Sequence, residues 1–391
     1  MAADGRGAQL TGWMQSLVAE EKLAGLSVLV EQRGRVVFFE TAGLRDIAND
    51  CPVERNTLFR IYSMTKPITS TAVLMLEERG LLRLSDPIGE SIPALANLRV
   101  LADPAGPVAE SVPATAPVTI RDLLVHTAGF IYEGHEPVPL GAAYREAGLF
   151  DNWPEVNLAT WTERLGRLPL AHQPGSRFRY GVSADVLGHL VAVVSGVPFD
   201  VFLRENIFEP LGMHDTGFSV PAGALDRLGG TYGPAGAGGL ELIEAAANSH
   251  FSAPPAFLSG GGGLVSTATD YLRFLQLLMG GGERDGVRLL SAENVARMTR
   301  NQLTPEQRSV DFMGGVFEAC GFGYGLLAVL DSAPAALGSA GEYFWAGMAS
   351  TSFSIDPAQE LVVLLMAQHV PTFGFGSPLE LRNLVYDAFV D

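Results

Sequence analysis

The two ends of the chain carry the same parts in mirror order. Near the start, Thr11–Glu21 places Trp13, Met14, Leu17 and Val18 at helical spacing. Two β-rich runs follow, Leu26–Val30 and Val36–Phe39, separated by a turn containing Gly34. Near the end, Thr351–Ile355 and Leu361–Met366 flank Asp356-Pro357 as a second hairpin, and Leu379–Val390 returns to helical spacing. A hairpin needs a covering layer for its apolar face, so the two ends are expected to build one antiparallel sheet covered by helices. That pairing makes the chain a closed unit with its middle inserted between two halves.

The middle has a different texture. Pro- and Ala-rich sequence from Pro93 to Pro117 leads into a helix expected over Ile120–His126, and Asp185–Ser195 and Phe199–Phe208 are further helical stretches punctuated by Gly or Pro. The Gly-rich segments 229–239 and 260–263 read as loops, with no GxxxxGK[ST] phosphate cradle. The expected architecture is an α/β domain of the α+β type, formed by residues 1–92 and 264–391, with a mostly helical domain at 93–263 and a cleft between them.

Composition removes several function classes. A hydrophobic content of 47% over 391 residues supports a sizeable core, and a net charge of −17 argues against a nucleic-acid or anionic-membrane partner. The longest apolar runs, around Leu190–Val194 and Leu361–Ala367, have the length of core elements rather than of membrane spans. The N-terminal MAADGRGAQL has no secretory pattern, and Cys51 and Cys320 have no metal-ligand spacing, so a reducing cytoplasm is the expected compartment. The seven histidines form no HExxH, and Pro137 and Pro139 break any helix at His135-Glu136; no metal or other cofactor is expected. The nucleophile elbow GxSxG is absent as well.

One constellation remains, Ser63-Met64-Thr65-Lys66. A lysine three residues after a serine, at the start of a helix, places both side chains on one face. Leu58–Tyr62 leads into that helix, Pro67 is tolerated in its first turn, Ile68, Val73, Leu74 and Leu76 form its apolar side, and Gly80 closes it. A desolvated lysine with a lowered pKa can accept or polarise the proton of a weakly nucleophilic hydroxyl. With 23 serines and only two lysines (Lys22 and Lys66) among 26 basic residues, chance supplies about 0.1 such match.

More of the chain fits the same pattern. LFRIYSMTKPI at 58–68, IRDLLVHTAGF at 120–130, FRYGVSADVLGHLV at 178–191, PLGMHDTGF at 210–218 and EYFWAGMASTSFSIDP at 342–357 occur in that order. In them the sequence resembles the serine β-lactamase and penicillin-recognising superfamily, and within it the class C β-lactamase-like carboxylesterases of family VIII. The resemblance implies a β-lactamase-like fold with Ser63 as acylated nucleophile, Lys66 as its partner and Tyr180 as the tyrosine that serves as general base. It also implies an oxyanion hole from the amides of Ser63 and Met348, with Trp345 as a wall of the acyl pocket and Gly347 allowing close backbone approach by the acyl group. Tyr132 is a further candidate for the pocket lining.

Two positions depart from the β-lactamase pattern: Val182 stands where Tyr-x-Asn has asparagine, and Trp345 where Lys-Thr-Gly has lysine. Both remove polar groups that would hold an anionic bicyclic substrate, while the serine, lysine and tyrosine remain. The expected activity is therefore hydrolysis of short- to medium-chain carboxylic esters, a small-molecule substrate class. β-Lactamase or D-amino-acid peptidase activity, acyl transfer in the same site, and a non-catalytic penicillin-binding-type sensor are the alternatives. His126 reads as a hydrogen-bonded structural histidine, and His369 is given no role.

Overall fold

The structure is a computed structural model that describes residues 7–132, 138–150, 155–236, 238–308, 320–329, 339–376 and 378–390. His135-Glu136, discounted above as a metal motif, lies outside the described residues. The two ends do meet in one sheet. In chain order its strands are β1 (Gly25–Gln32), β2 (Arg35–Asp46), β3 (Cys51–Pro52), β4 (Cys320–Phe322), β5 (Leu327–Val329), β6 (Tyr343–Ala346), β7 (Ser352–Asp356) and β8 (Leu361–Ala367). Across the sheet they lie in the order β4-β5-β6-β7-β8-β1-β2-β3. The join between the two halves is the antiparallel pair β1–β8, with Leu26 opposite Ala367 and Gln32 opposite Leu361.

Alternation along these central strands explains the layers. On β1 and β8, Leu26, Val28, Val30, Leu361, Val363 and Leu365 face one side, where they join Leu10, Met14 and Leu17 of α1 (Ala8–Ala19) and Leu381 and Val385 of the C-terminal helix Pro378–Phe389. Leu29, Val362, Leu364 and Met366 face the other side and enter the main core. Both faces are covered, so both strands are almost continuously buried, and Leu361–Ala367 is apolar throughout.

The main core surrounds α2 (Thr65–Glu78), in which every residue from Thr65 to Leu76 is buried. The helix packs on α3 (Ser183–Ser195), and Ala268–Met279 packs against β1 and β8. Polar side chains on so buried a helix need partners. Thr71 Oγ1 donates back to the Pro67 carbonyl at 2.9 Å, and Thr69 Oγ1 donates to the Gly260 carbonyl at 2.8 Å. Among the described residues no single helix is long and apolar enough to cross a membrane.

Two expectations about the middle are corrected. The helix expected over Ile120–His126 stops at Leu124, and His126 takes a left-handed backbone with φ +55°. The Gly-rich stretch 229–239 is not wholly loop: Thr231–Pro234 pairs antiparallel with Leu240–Glu244. There the cross-strand ladder overrides glycine's weak strand preference. Residues 260–262 do form a turn, as expected.

Candidate active site

Ser63 lies in a single 3₁₀ turn, Tyr62–Met64, that runs directly into α2. The approach to it is held by an unusually placed cation. Arg60, fully buried, donates to the Gly229 carbonyl at 2.5 Å, to Gln368 Oε1 at 3.1 Å and to Ser249 Oγ at 3.1 Å, and pairs with Glu244 at 3.3 Å. These bonds tie the segment before the serine to the 231–244 hairpin and to the residues just past β8. On the other side Tyr271 donates its hydroxyl to the Met64 carbonyl at 2.8 Å, and Leu264 N–H donates to Thr65 Oγ1 at 3.2 Å. Tyr62, between Arg60 and Ser63, has φ +41°. A bulky residue adopts that left-handed geometry only where its surroundings over-determine it, a kind of strain that clusters at functional sites.

Three of the expected side chains converge. Lys66 Nζ is 3.0 Å from Ser63 Oγ, and the Tyr180 hydroxyl is 2.9 Å from the same oxygen. Lys66 Nζ also donates to the Gly261 carbonyl at 2.6 Å and lies 4.8 Å from the centre of the Tyr180 ring. Only 1% of Lys66 is exposed. Burial pulls its pKa down from 10.5 to about 7, against the opposing pull of the Asp185 carboxylate. Burial drives the Tyr180 phenol the other way, above its ordinary range, and the hydrogen bond to Ser63 offsets this only in part.

Asp185 and Gly261 lie in segments noted above, but neither was expected to have a role at the site. Asp185 is in the first turn of α3 and almost fully buried. Its Oδ1 accepts from Ser259 Oγ at 2.5 Å and from Gly261 N–H at 3.0 Å. The carboxylate thereby fixes the glycine whose carbonyl holds Lys66. A Cβ at 261 would lie 2.9 Å from Asp185 Oδ2 and 3.0 Å from the Tyr132 hydroxyl, so a larger residue there would have to displace these two side chains. A glycine-rich turn gives no sequence signal of such a role, because the chemistry resides in its main chain.

The remaining candidates surround this centre. Trp345 on β6 is buried, with its ring 5.6 Å from that of Tyr180 and 5.5 Å from that of Phe322. Tyr132 lies 5.1 Å from Tyr180, ring to ring, and 5.4 Å from Lys66 Nζ. Gly347 does allow close backbone approach, but to the protein's own chain: a Cβ there would be 2.3 Å from Thr351 Oγ1 and 2.4 Å from the Ile61 carbonyl oxygen. Gly347→Ala must therefore push β6 away from the segment before Ser63. It is expected to cost about 1–3 kcal/mol of stability, read as a lowered urea midpoint, with a parallel loss of activity.

Met348 follows that glycine, with a half-exposed side chain and a carbonyl that accepts from Thr372 Oγ1 at 2.6 Å. Among the described residues the amides of Ser63 and Met348 donate to no other backbone carbonyl. Val182, which replaces the asparagine of the β-lactamase pattern, is buried at the start of α3. Among the described residues no group of three or more His, Cys, Asp or Glu side chains could hold a metal ion.

Comparison with known proteins gives the family. The sequence profile of the family described as Beta-lactamase matches residues 10–385. Protein Rv1367c of Mycobacterium tuberculosis is 39% identical over 360 residues, covering 89% of this chain and 86% of its own. Esterase EstB of Burkholderia gladioli is 31% identical over 399 residues, covering 97% of this chain and 95% of its own. Among solved structures, EstCE1, described as a hydrolase with promiscuous acyltransferase activity, superposes with a TM-score of 0.81 at 27% identity, covering 98% of this chain and 99% of its own. With the profile spanning both halves of the sheet and the serine, lysine and tyrosine in contact, the chain belongs to the Beta-lactamase family of serine hydrolases.

Proposed function

We propose that this protein is a serine carboxylesterase that hydrolyses short- to medium-chain carboxylic esters through an acyl-enzyme on Ser63. The observation that carries the proposal is the contact of one serine oxygen with a buried amine at 3.0 Å and a phenol at 2.9 Å. The directions of the two pKa shifts support a division of roles between them. An amine with a pKa of about 7 is substantially unprotonated at neutral pH, whereas a phenol raised by burial keeps its proton. Lys66 is thus the better base, and Tyr180 the better acid, than the family pattern alone implies.

In acylation, Lys66 takes the Ser63 proton as Oγ attacks the ester carbonyl. The amides of Ser63 and Met348 hold the oxyanion. As the C–O bond breaks, Tyr180 gives its proton to the leaving alkoxide and is reprotonated from the Lys66 ammonium. Water then attacks the acyl-enzyme, its proton following the same groups back to Ser63 Oγ. If an alcohol takes the place of water, the same cycle transfers the acyl group; EstB is named an esterase, and EstCE1 is described with acyl transfer. The reaction would sit at the seam between residues 1–92 with 264–391 and residues 93–263, since Ser63, Lys66 and Met348 come from the first part and Tyr180 from the second.

The buried Val182 and the aromatic Trp345 favour an ester with apolar groups over a β-lactam carboxylate. Reaction with a fluorophosphonate probe followed by peptide mapping is expected to give one adduct, on Ser63, and to abolish hydrolysis of nitrophenyl butyrate in proportion to labelling. In the same assays the ester is expected to be turned over about 100-fold more efficiently than a cephalosporin. Labelling elsewhere with activity retained overturns the mechanism; comparable β-lactam turnover overturns the substrate assignment.

A further inference from the structure

We propose that His126 is a positioning residue for Tyr180, acting as a neutral imidazole that grips the main chain on both sides of the tyrosine. This rests on the reading that Tyr180 delivers a proton at Ser63, and extends it to a residue that acts through Tyr180. The backbone carbonyl of His126 accepts from Arg179 N–H at 2.7 Å, and its Nδ1 accepts from Gly181 N–H at 3.3 Å. Between those two bonds the imidazole lies against Tyr180 itself, with ring centres 4.9 Å apart. Three consecutive residues are thus held by one.

The local backbone accounts for this reach. His126 follows the short helix Ile120–Leu124, and its φ of +55° is costly for a residue with a Cβ. The turn brings the carbonyl and the ring to bear on the same segment. Phe178 and Phe322 close on the ring at 5.9 and 5.4 Å, edge to face, and fix its plane. Because Nδ1 faces an N–H donor, its lone pair must be free, and the ring proton belongs on Nε2. Burial and the nearby Lys66 both hold the imidazole unprotonated, which is the form that this bond needs. A protonated ring would set donor against donor at Gly181.

A phenol hydroxyl at the end of a long ring is displaced strongly by a small rotation of its main chain. Misplacement of a proton donor by about 1 Å costs on the order of 100-fold in rate. The test uses His126→Phe, which keeps the ring and loses the acceptor, and His126→Asn, whose Oδ1 can stand where Nδ1 stands. With nitrophenyl butyrate, H126F is expected to lose about 100-fold in kcat with KM within about twofold, and H126N to recover to within about tenfold of wild type. In a Tyr180→Phe background, H126F is expected to add almost nothing, because the group that it positions is gone.

A folded H126F with wild-type kcat overturns the proposal. So does an H126F/Y180F double variant that falls by the product of the two single losses. If H126F does not fold, H126N alone and in the Y180F background carries the same comparison, with independent losses again the overturning result. Wild-type activity in Y180F alone would instead overturn the role given to Tyr180, so the two failures are distinguishable.

Discussion

Replacing Ser63 with alanine is expected to lower kcat/KM for nitrophenyl butyrate by about 10⁴- to 10⁶-fold, with little change in stability. The size follows from what is lost: without Oγ no acyl-enzyme can form, and only the oxyanion donors and substrate binding remain to assist attack by water. At 25 °C the change amounts to about 5–8 kcal/mol in transition-state free energy. The fold should tolerate it because the hydroxyl's hydrogen bonds go to Lys66 and Tyr180 rather than to the scaffold. Lys66 keeps its 2.6 Å bond to the Gly261 carbonyl, and the turn that carries residue 63 is held independently through Arg60 and Tyr271. Thermal melting within a few degrees of wild type, together with loss of fluorophosphonate labelling, completes the expected result. A folded variant retaining more than about 1% of activity would place the chemistry elsewhere.

The parts of this site that were legible in the sequence are those in which side-chain type and spacing carry the information. Ser63 and Lys66 are one turn apart whatever surrounds them, and Tyr180 is marked by its motif ahead of a helix. The sheet was legible for a similar reason: strands buried on both faces, such as Leu361–Ala367, are almost uniformly apolar. What escaped is chemistry carried by the main chain. The acceptor for Lys66 is a carbonyl 195 residues away, in a turn whose glycines looked like simple loop. The 231–244 hairpin was hidden for a related reason, since its glycines weaken the strand pattern while its hydrogen bonds need no particular side chain. Gly347 was recognised as a point of close approach, but not the neighbour approached, which is set by how β6 lies against the Ile61 carbonyl. The protonation order of Lys66 and Tyr180 depends on burial depth, and no spacing encodes that.

Replacing Lys66 with arginine preserves formal charge and is expected to lower kcat/KM by about 1,000-fold or more. The site leaves no room for a solvated substitute, since Lys66 is 1% exposed and its Nζ is shared between Ser63 and Gly261. More important is the proton. Burial outweighs the pull of Asp185 and brings the amine to about 7, so it is unprotonated above that pH and protonated below it. Wild-type kcat/KM should therefore be flat above about pH 7 and fall tenfold per unit below it. A guanidinium stays protonated throughout that range, so the variant should lack the activity plateau rather than merely show a shifted one. The other lysine does not confuse the assignment. Lys22 is half exposed, pairs with Glu20 at 2.8 Å, and has its pKa raised by that contact. A lysine limb near pH 7 thus belongs to Lys66. Near-normal K66R activity would show that residue 66 supplies only charge; a profile flat down to pH 5 in the wild type would show that the amine is not the base. The arginine bias of the composition makes the test sharper, because in a chain with 26 basic residues and two lysines the substitution replaces the rare residue with the common one.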